Sequence, residues 1–150
     1  MLTREFAVQN PAQWAEVVAA VQPWLLPGRW AALEGPLGAG KTTFVQALVR
    51  TLSPDTALEV TSPTFALYHD YPTQPAIRHY DLYRVGDDLR AGHSDAAAGV
   101  DLDYASWQDV FVLVEWPDRL PHTMPPPCWS LSIRPTDDGG RLARLRLLDS

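Results

Sequence analysis

The chain has 150 residues, of which 46% are hydrophobic and 20% charged, the composition of a globular protein rather than a disordered one. A formal net charge of −6 at pH 7 argues against a protein that holds nucleic acid directly, because such proteins normally carry a basic face. Cys128 is the only cysteine, which excludes an internal disulfide. No apolar run approaches the ~18 residues of a membrane span. We therefore expect one soluble, cytoplasmic domain over residues 1–150.

In the first third of the chain, the sequence pattern predicts two strands and two helices that alternate. A short strand is expected at residues 5–8, and Asn10 is a good N-cap for a helix that ends before Pro23. The apolar positions of that helix recur with the spacing of one helix face: Trp14, Val17, Val18 and Val21. Residues 30–34 form a short apolar run typical of a buried strand, and a second amphipathic helix follows that ends at Ser53.

The rest of the chain predicts mainly strands. Residues 60–71 and 77–85 have the composition of strands, whereas residues 87–106 are acidic and rich in alanine and glycine and are expected to be partly helical or mobile. Residues 110–114 are all apolar and predict the most deeply buried strand of the chain.

A terminal hairpin is expected from residues 129–134 and 142–148, joined through a turn around Gly139. Arg144 and Arg146 alternate with leucines there, which is typical of the wet face of a half-buried edge strand. Helices between early strands and a late hairpin predict an α/β fold with a sheet of mixed direction.

The most specific motif is a phosphate loop, Gly35-x-x-x-x-Gly40-Lys41-Thr42, which lies between a predicted strand and a predicted helix. Its glycines let the backbone approach phosphates closely, and the N–H groups at the helix start attract an anion. Lys41 can reach the β- and γ-phosphates, and the Thr42 hydroxyl can ligate Mg²⁺.

Lys41 is also the only lysine of the chain, and Asn10 the only asparagine. The guanine-reading N-K-x-D motif of GTPases therefore cannot exist here, because the one lysine is committed to phosphates. The residue inventory favours ATP over GTP.

A phosphate loop needs an acidic partner for the metal ion or for the attacking water, and the end of a buried strand usually supplies it. Glu115 follows the predicted strand at 110–114 and is the best candidate; the alternative is a solvated strand end. Asp81 is a second candidate, and its alternative role is an ordinary ion pair with Arg78 or Arg84.

Five pieces of the sequence, in order, resemble the bacterial TsaE ATPases of the tRNA threonylcarbamoyladenosine machinery. They are the phosphate loop, Ser62-Pro63-Thr64-Phe65, Tyr71, His79-Tyr80-Asp81-Leu82-Tyr83-Arg84 and Val114-Glu115-Trp116-Pro117. The phosphate loop alone is generic, but this series of motifs in this order is specific. The resemblance covers about residues 10 to 120.

The resemblance implies a P-loop NTPase-like three-layer α/β sandwich, with a mixed, mainly parallel sheet and a C-terminal antiparallel hairpin. It implies ATP and Mg²⁺ as ligands. It also implies partnership with the threonylcarbamoyl transferase and its paralogous partner subunit, which modify the adenosine next to the anticodon in ANN-decoding tRNAs. In the family the ATPase supports this complex and does not perform the transfer, so tRNA is reached only indirectly.

Carried over residue by residue, Lys41 resembles the family's phosphate lysine, Thr42 and Glu115 its magnesium ligands, and Asp81 the acid of its DLYR motif. The expected catalytic residues are Lys41, Asp81 and Glu115. The expected nucleotide-binding residues are Gly35, Gly38, Ala39, Gly40, Lys41, Thr42, Thr43, Thr64 and Trp116. Trp116 has an alternative role as a core aromatic at the strand end.

Two further functions stay open from the sequence: a small-molecule P-loop kinase, and a nucleotide-gated scaffold with little hydrolysis. The segment 87–106, with Arg90 as its only arginine or lysine, makes a poor kinase lid. Two positions depart from the family pattern: Pro36, where an acid is usual, and Trp14, where threonine is common. In addition, residues 92–99 replace the glutamate-rich segment that usually follows the DLYR motif. No obvious arginine finger is present, and Arg84 is the nearest candidate.

Overall fold

The computed structural model describes residues 2–36, 38–53, 59–61, 63, 68–83, 102, 104–121 and 124–148. The strands are β1 (Leu2–Val8), β2 (Trp30–Glu34), β3 (Tyr68–Tyr71), β4 (Ile77–Asp81), β5 (Phe111–Glu115), β6 (Trp129–Pro135) and β7 (Arg141–Leu147). The α-helices are α1 (Trp14–Val21) and α2 (Lys41–Leu52). Short 3₁₀ turns lie at Pro11–Gln13, Gln22–Trp24, Tyr104–Asp109 and Pro117–Arg119.

The seven strands form one sheet in the order β1-β7-β6-β2-β5-β4-β3. Its centre is parallel, because β2 pairs in parallel with β5 and β6, and β4 pairs in parallel with β5. The outer pairings β1–β7, β6–β7 and β3–β4 are antiparallel, so that only β3 and β7 run against the direction of the other strands. The predicted α/β fold, with a mixed, mainly parallel sheet and a C-terminal hairpin, is confirmed.

Alternation along the central strands buries both faces of the sheet. Phe111 and Leu113 of β5 face the layer that contains α1 and α2, whereas Val112 and Val114 face the opposite side. The apolar stripe of α1 predicted from helical spacing is fully buried in the first layer. Leu102 and other apolar side chains from the irregular segments pack on the second face. Three layers result, and the second face is covered by 3₁₀ turns and loops among the described residues.

The sequence predicts that the C-terminal hairpin ends in an edge strand. In the structure, however, the hairpin lies inside the sheet and not at its edge. β7 pairs with β6 on one side and along its whole length with β1 on the other, so β1 forms the edge. Arg144 and Arg146 are exposed, as predicted, on the face opposite α1 and α2. The alternating pattern correctly predicts a half-buried strand, but it does not distinguish an edge strand from an interior one, since both expose one face.

Two predicted segments are only partly covered by the described residues. Of residues 60–71, the strand covers only Tyr68–Tyr71, and residues 62 and 64–67 are not described. Of residues 87–106, only residues 102 and 104–106 are described, and Tyr104–Asp109 is a 3₁₀ turn. None of the described helices is long and apolar enough to cross a lipid bilayer.

The phosphate loop is held against the hairpin at its first residue. Gly35 has φ +149°, and a Cβ placed there would lie 2.3 Å from the carbonyl oxygen of Ile133 in β6. Only glycine combines this backbone conformation with so close an approach. The contact fixes where the loop leaves the sheet and thus where α2 begins.

Substitution Gly35→Ala is expected to lower the free energy of unfolding by about 3 kcal/mol or more, because backbone strain is added to a clash with a main-chain atom. Gly139→Ala is the matched control, since Gly139 has φ +86° but no atom within 4 Å of an added Cβ. The control is expected to lose only about 1–2 kcal/mol. Denaturant unfolding of both variants measures the difference, and equal losses would contradict the proposed clash.

Candidate functional site

The carboxyl ends of the parallel strands meet the start of α2, and this junction brings the predicted site residues together. β2 leads through the phosphate loop to Lys41, the first residue of α2. Glu115 is the last residue of β5, and Asp81, the last residue of β4, lies opposite it in the parallel register. In open α/β sheets ligands bind at this end of the strands.

The phosphate loop has the backbone of an anion cradle. Gly38 and Gly40 adopt φ +77° and +112°, conformations that glycine reaches without strain. The Ala39 amide donates to the Pro36 carbonyl at 3.1 Å, which closes a turn, and the Ala39 side chain is buried. The first turn of α2 contains no acidic residue, so its free N–H groups and helix dipole favour an anion without a competing carboxylate.

Lys41 is almost fully buried, with 5% of its surface exposed. Its Nζ donates to the Gly35 carbonyl at 2.7 Å and lies 3.5 Å from Glu115 Oε1. The ammonium also lies 4.7 Å from the ring centroid of Trp116, within cation–π distance. The only lysine of the chain is thus held inside its own loop by three neighbours.

Glu115 is buried, so the alternative of a solvated strand end is wrong. Only 4% of its surface is exposed, and its two oxygens contact different groups. Oε1 faces Lys41, and Oε2 lies 2.6 Å from His79 Nε2. His79 is not among the site residues that the sequence predicts. The available signal was its position two residues before Asp81 on a strand, which places both side chains on the same face.

Asp81 and Thr42 complete the set around this pair. The Thr42 hydroxyl is half-buried in the first turn of α2 and forms no hydrogen bond with any described residue. Asp81 accepts a hydrogen bond from the Tyr83 amide at 3.0 Å. Of the two arginines considered for Asp81, Arg84 lies outside the described residues.

The other arginine, Arg78, is committed to another acid. Its Nε donates to Asp70 Oδ1 at 2.8 Å, and this hydrogen bond raises the pKa of the Arg78 guanidinium. The side chain also lies 4.3 Å from the ring centroid of Tyr68. Arg78 therefore braces β3 against β4 and takes no part in the site.

Trp116 lines a cleft of about 430 Å³ beside Lys41 and the start of the phosphate loop. Its backbone is left-handed, with φ +60°, and its ring lies 5.1 Å from that of Tyr83. The tryptophan is half-buried and packs partly against the second core cluster. One side of Trp116 is therefore packed against the core, and the other side faces the cleft.

A second pocket, of about 190 Å³, shares none of the residues that line the cleft. It is lined by Val8, Gln9, Asn10, Pro11, Trp14, Gly40, Thr43, Gly139, Gly140 and Arg141. Trp14, one of the two departures from the family pattern, is 2% exposed and packs edge-on against Phe44 at 5.8 Å. Arg141 donates to the Gly38 carbonyl at 3.3 Å, a contact between hairpin and phosphate loop that sequence reasoning missed.

The turn of the hairpin is tied to the rim of this pocket through Asp138. Its carboxylate accepts hydrogen bonds from the Thr136 hydroxyl, the Gly140 amide and the Gln9 side chain, and these hold the pKa of Asp138 below its ordinary value. Thr64, predicted to bind nucleotide, lies outside the described residues. All the other predicted site residues lie in the phosphate loop, in the first turn of α2, or at the ends of β4 and β5.

Comparisons of the sequence with known proteins match one family. Residues 8–143 match the family model described as "Threonylcarbamoyl adenosine biosynthesis protein TsaE". The chain is 30% identical over 138 residues to the TsaE protein of Treponema pallidum, an alignment that covers 90% of this chain and 92% of that one. It is also 30% identical to the TsaE protein of Rickettsia felis, over 92% of this chain and 77% of the relative.

The chain belongs to the TsaE family. The crystal structure of Bacillus subtilis YdiB has a similar fold, with a TM-score of 0.68 at 22% identity, covering 98% of this chain and 86% of that one. The TsaE-family match begins at residue 8 and ends within β7, so it spans both pockets and every predicted site residue.

The Lys41–Glu115 contact predicts energetic coupling in the nucleotide-free protein. Lys41→Met is expected to lower the free energy of unfolding by about 3 kcal/mol, because it leaves a buried carboxylate without its counter-charge. Glu115→Gln in the Lys41→Met background is expected to recover about 1 kcal/mol or more relative to additive behaviour. Denaturant unfolding of the two single variants and the double variant gives the coupling energy. Additive losses would show that the two charges do not interact.

Proposed function

We propose that this TsaE-family chain is a Mg²⁺-dependent ATPase that acts in tRNA threonylcarbamoyladenosine synthesis in the cytoplasm. It would act on the transferase complex and leave the transfer itself to that complex. The observation that carries the proposal is the burial of Lys41 beside Glu115, where the phosphate loop meets the end of β5.

Phosphate binding is supported by the loop, the helix start and the lysine together. The backbone amides of residues 38–42 and the N-terminus of α2 supply positive potential, and Lys41 supplies a full charge. In the nucleotide-free protein Lys41 contacts the Gly35 carbonyl and Glu115, both of which are acceptors. A triphosphate offers the ammonium stronger acceptors at the same place, since charge-assisted hydrogen bonds to phosphate are strong.

The donor set at the strand ends fits Mg²⁺. This ion prefers oxygen ligands and is usually bound by one or two protein oxygens together with phosphates and waters. The Thr42 hydroxyl forms no hydrogen bond with a described residue, and Glu115 supplies a carboxylate from the adjacent strand. Bound there, the ion would neutralise charge on the phosphates as the bond to the γ-phosphate breaks.

The chain's own residues would then divide the remaining work. Lys41 would stabilise the charge that develops on the γ-phosphate oxygens, as an electrostatic contribution held in place before reaction. Glu115 or Asp81 would orient the attacking water, since both carboxylates stand at neighbouring strand ends in register. The roles of Lys41, Asp81 and Glu115 in turnover are part of the proposal.

The second pocket would receive the nucleoside. It adjoins Gly40 and Thr43, at the start of α2, and it combines the buried indole of Trp14 with the polar groups of Asn10 and Arg141. A flat apolar wall with few polar groups is the usual lining of such a pocket. The absence of any N-K-x-D motif from the sequence favours adenine over guanine.

The partners would be the threonylcarbamoyl transferase and its paralogous partner subunit. The curated relatives carry names that place them in tRNA threonylcarbamoyladenosine biosynthesis. A chain with a net charge of −6 is poorly suited to hold tRNA by itself, so tRNA would be reached through the complex. Docking is expected to raise a slow intrinsic rate of hydrolysis.

Phosphate release from ATP in the presence of Mg²⁺ is expected to fall by about 100-fold or more in Lys41→Ala, because a charge aimed at the γ-phosphate is lost. Arg50→Ala is the matched control, since it removes an exposed cation from the last turn of the same helix. The control is expected to keep the wild-type rate, and chelation of Mg²⁺ with EDTA is expected to stop hydrolysis. Hydrolysis that persists in EDTA would contradict the role of the metal ion.

Addition of the transferase pair is expected to raise the rate of phosphate release by the wild-type chain, and to leave Lys41→Ala inactive. Equal rates with and without the pair would contradict the docking proposal. Tight ATP binding with no turnover under either condition would instead favour the nucleotide-gated scaffold.

A further inference from the structure

His79 is a buried polar residue behind the site, not a member of the cleft. It lies in the middle of β4 opposite Leu113 of β5, and none of its surface is exposed. Its Nε2 lies 2.6 Å from Glu115 Oε2, so that the N–H donates to the carboxylate. Since Glu115 stands between His79 and Lys41, His79 cannot reach a ligand bound at the phosphate loop.

The two carboxylate oxygens of Glu115 contact different residues, and only one of these contacts is expected to persist when a ligand binds. Lys41 contacts Oε1 through a flexible side chain, at 3.5 Å, and is the residue that the proposed function assigns to the phosphates. When Lys41 turns to phosphates, Glu115 loses that neighbour. His79 contacts Oε2 from a strand paired on both sides, and its position does not depend on a ligand. Of the two contacts, the one from His79 persists.

The surroundings of the other ring nitrogen, Nδ1, indicate that the histidine at position 79 does not serve to stabilise the fold. Nδ1 is buried and has no hydrogen-bond partner among the described residues. An unpartnered buried polar atom is destabilising, and an apolar side chain would avoid it. Within the part of the chain that the structure describes, the hydrogen bond to Glu115 is therefore the one polar contact that compensates for burial of the imidazole.

We propose that His79 is a positioning residue that fixes the Glu115 carboxylate, with Oε1 directed to the metal ion and the γ-phosphate. This inference rests on the proposed function, because it gives Glu115 a metal ion to hold. Residues that orient a metal ligand through a hydrogen bond typically change metal affinity or activity by about 10- to 100-fold when replaced.

Three variants test the proposal: His79→Leu, which removes the donor; His79→Gln, whose side-chain amide can donate from a similar place; and Glu115→Gln, as the reference. ATP affinity is measured by calorimetry with Mg²⁺ and with EDTA, and kcat and KM are measured for hydrolysis. Unfolding midpoints are measured in parallel.

His79→Leu is expected to fold with a midpoint close to that of the wild type, because the loss of one hydrogen bond is offset by removal of the unpartnered nitrogen. Its ATP affinity in EDTA is expected to stay within about twofold of wild type, since the phosphate loop is intact. The gain in affinity on adding Mg²⁺, and kcat, are each expected to fall by about 10-fold or more. His79→Gln is expected to recover most of both.

A His79→Leu variant that keeps the wild-type Mg²⁺ gain and kcat, while Glu115→Gln loses them, would overturn the role of His79 and leave the proposed function standing. Equal losses of ATP affinity with and without Mg²⁺, or failure of both His79 variants to fold, would show a merely structural role and also overturn it. A Glu115→Gln variant with an unchanged Mg²⁺ gain would instead contradict the metal assignment of the proposed function.

Discussion

The contact between Lys41 and Glu115 is the constraint on which the site depends. An ammonium and a carboxylate, each about 5% exposed, would be strongly destabilising if either were buried alone. Three further groups offset the cost of burying the two charges: the Gly35 carbonyl, the Trp116 ring and His79. The folded protein can therefore keep two opposite charges buried side by side at the end of the parallel strands.

The sheet supplies the geometry of that contact. β2 carries the phosphate loop and β5 carries Glu115, and the two strands are direct neighbours with Leu33 opposite Glu115. Alternation along β5 places Glu115 on the same face as Phe111 and Leu113, which is the face that α2 covers. A slip of one residue in this register would turn the carboxylate to the opposite face, away from the lysine. The buried apolar strands thus determine the position of the charges.

Features encoded locally could be predicted from the sequence. The bounds of β2 agree to the residue with the apolar run at 30–34, and the glycine spacing located the phosphate loop and the start of α2. Glu115 followed from a buried strand with an acid at its end. His79 did not, because its partner lies 36 residues away and the contact exists only once β4 and β5 are neighbours. For the same reason, the sequence did not predict the Arg141–Gly38 contact or the interior position of β7. Both depend on pairings between segments at opposite ends of the sequence.

The pairing of β1 with β7 has a consequence for the order in which the molecule can be completed. Residues 2–8 are synthesised well before residues 141–147, their strand partner. β1 cannot pair with β7 until that later segment has been made. Until then its backbone has no ladder to join, and β7 presents an open side as soon as it emerges. Closure of the sheet at this edge therefore depends on two segments that lie far apart along the sequence.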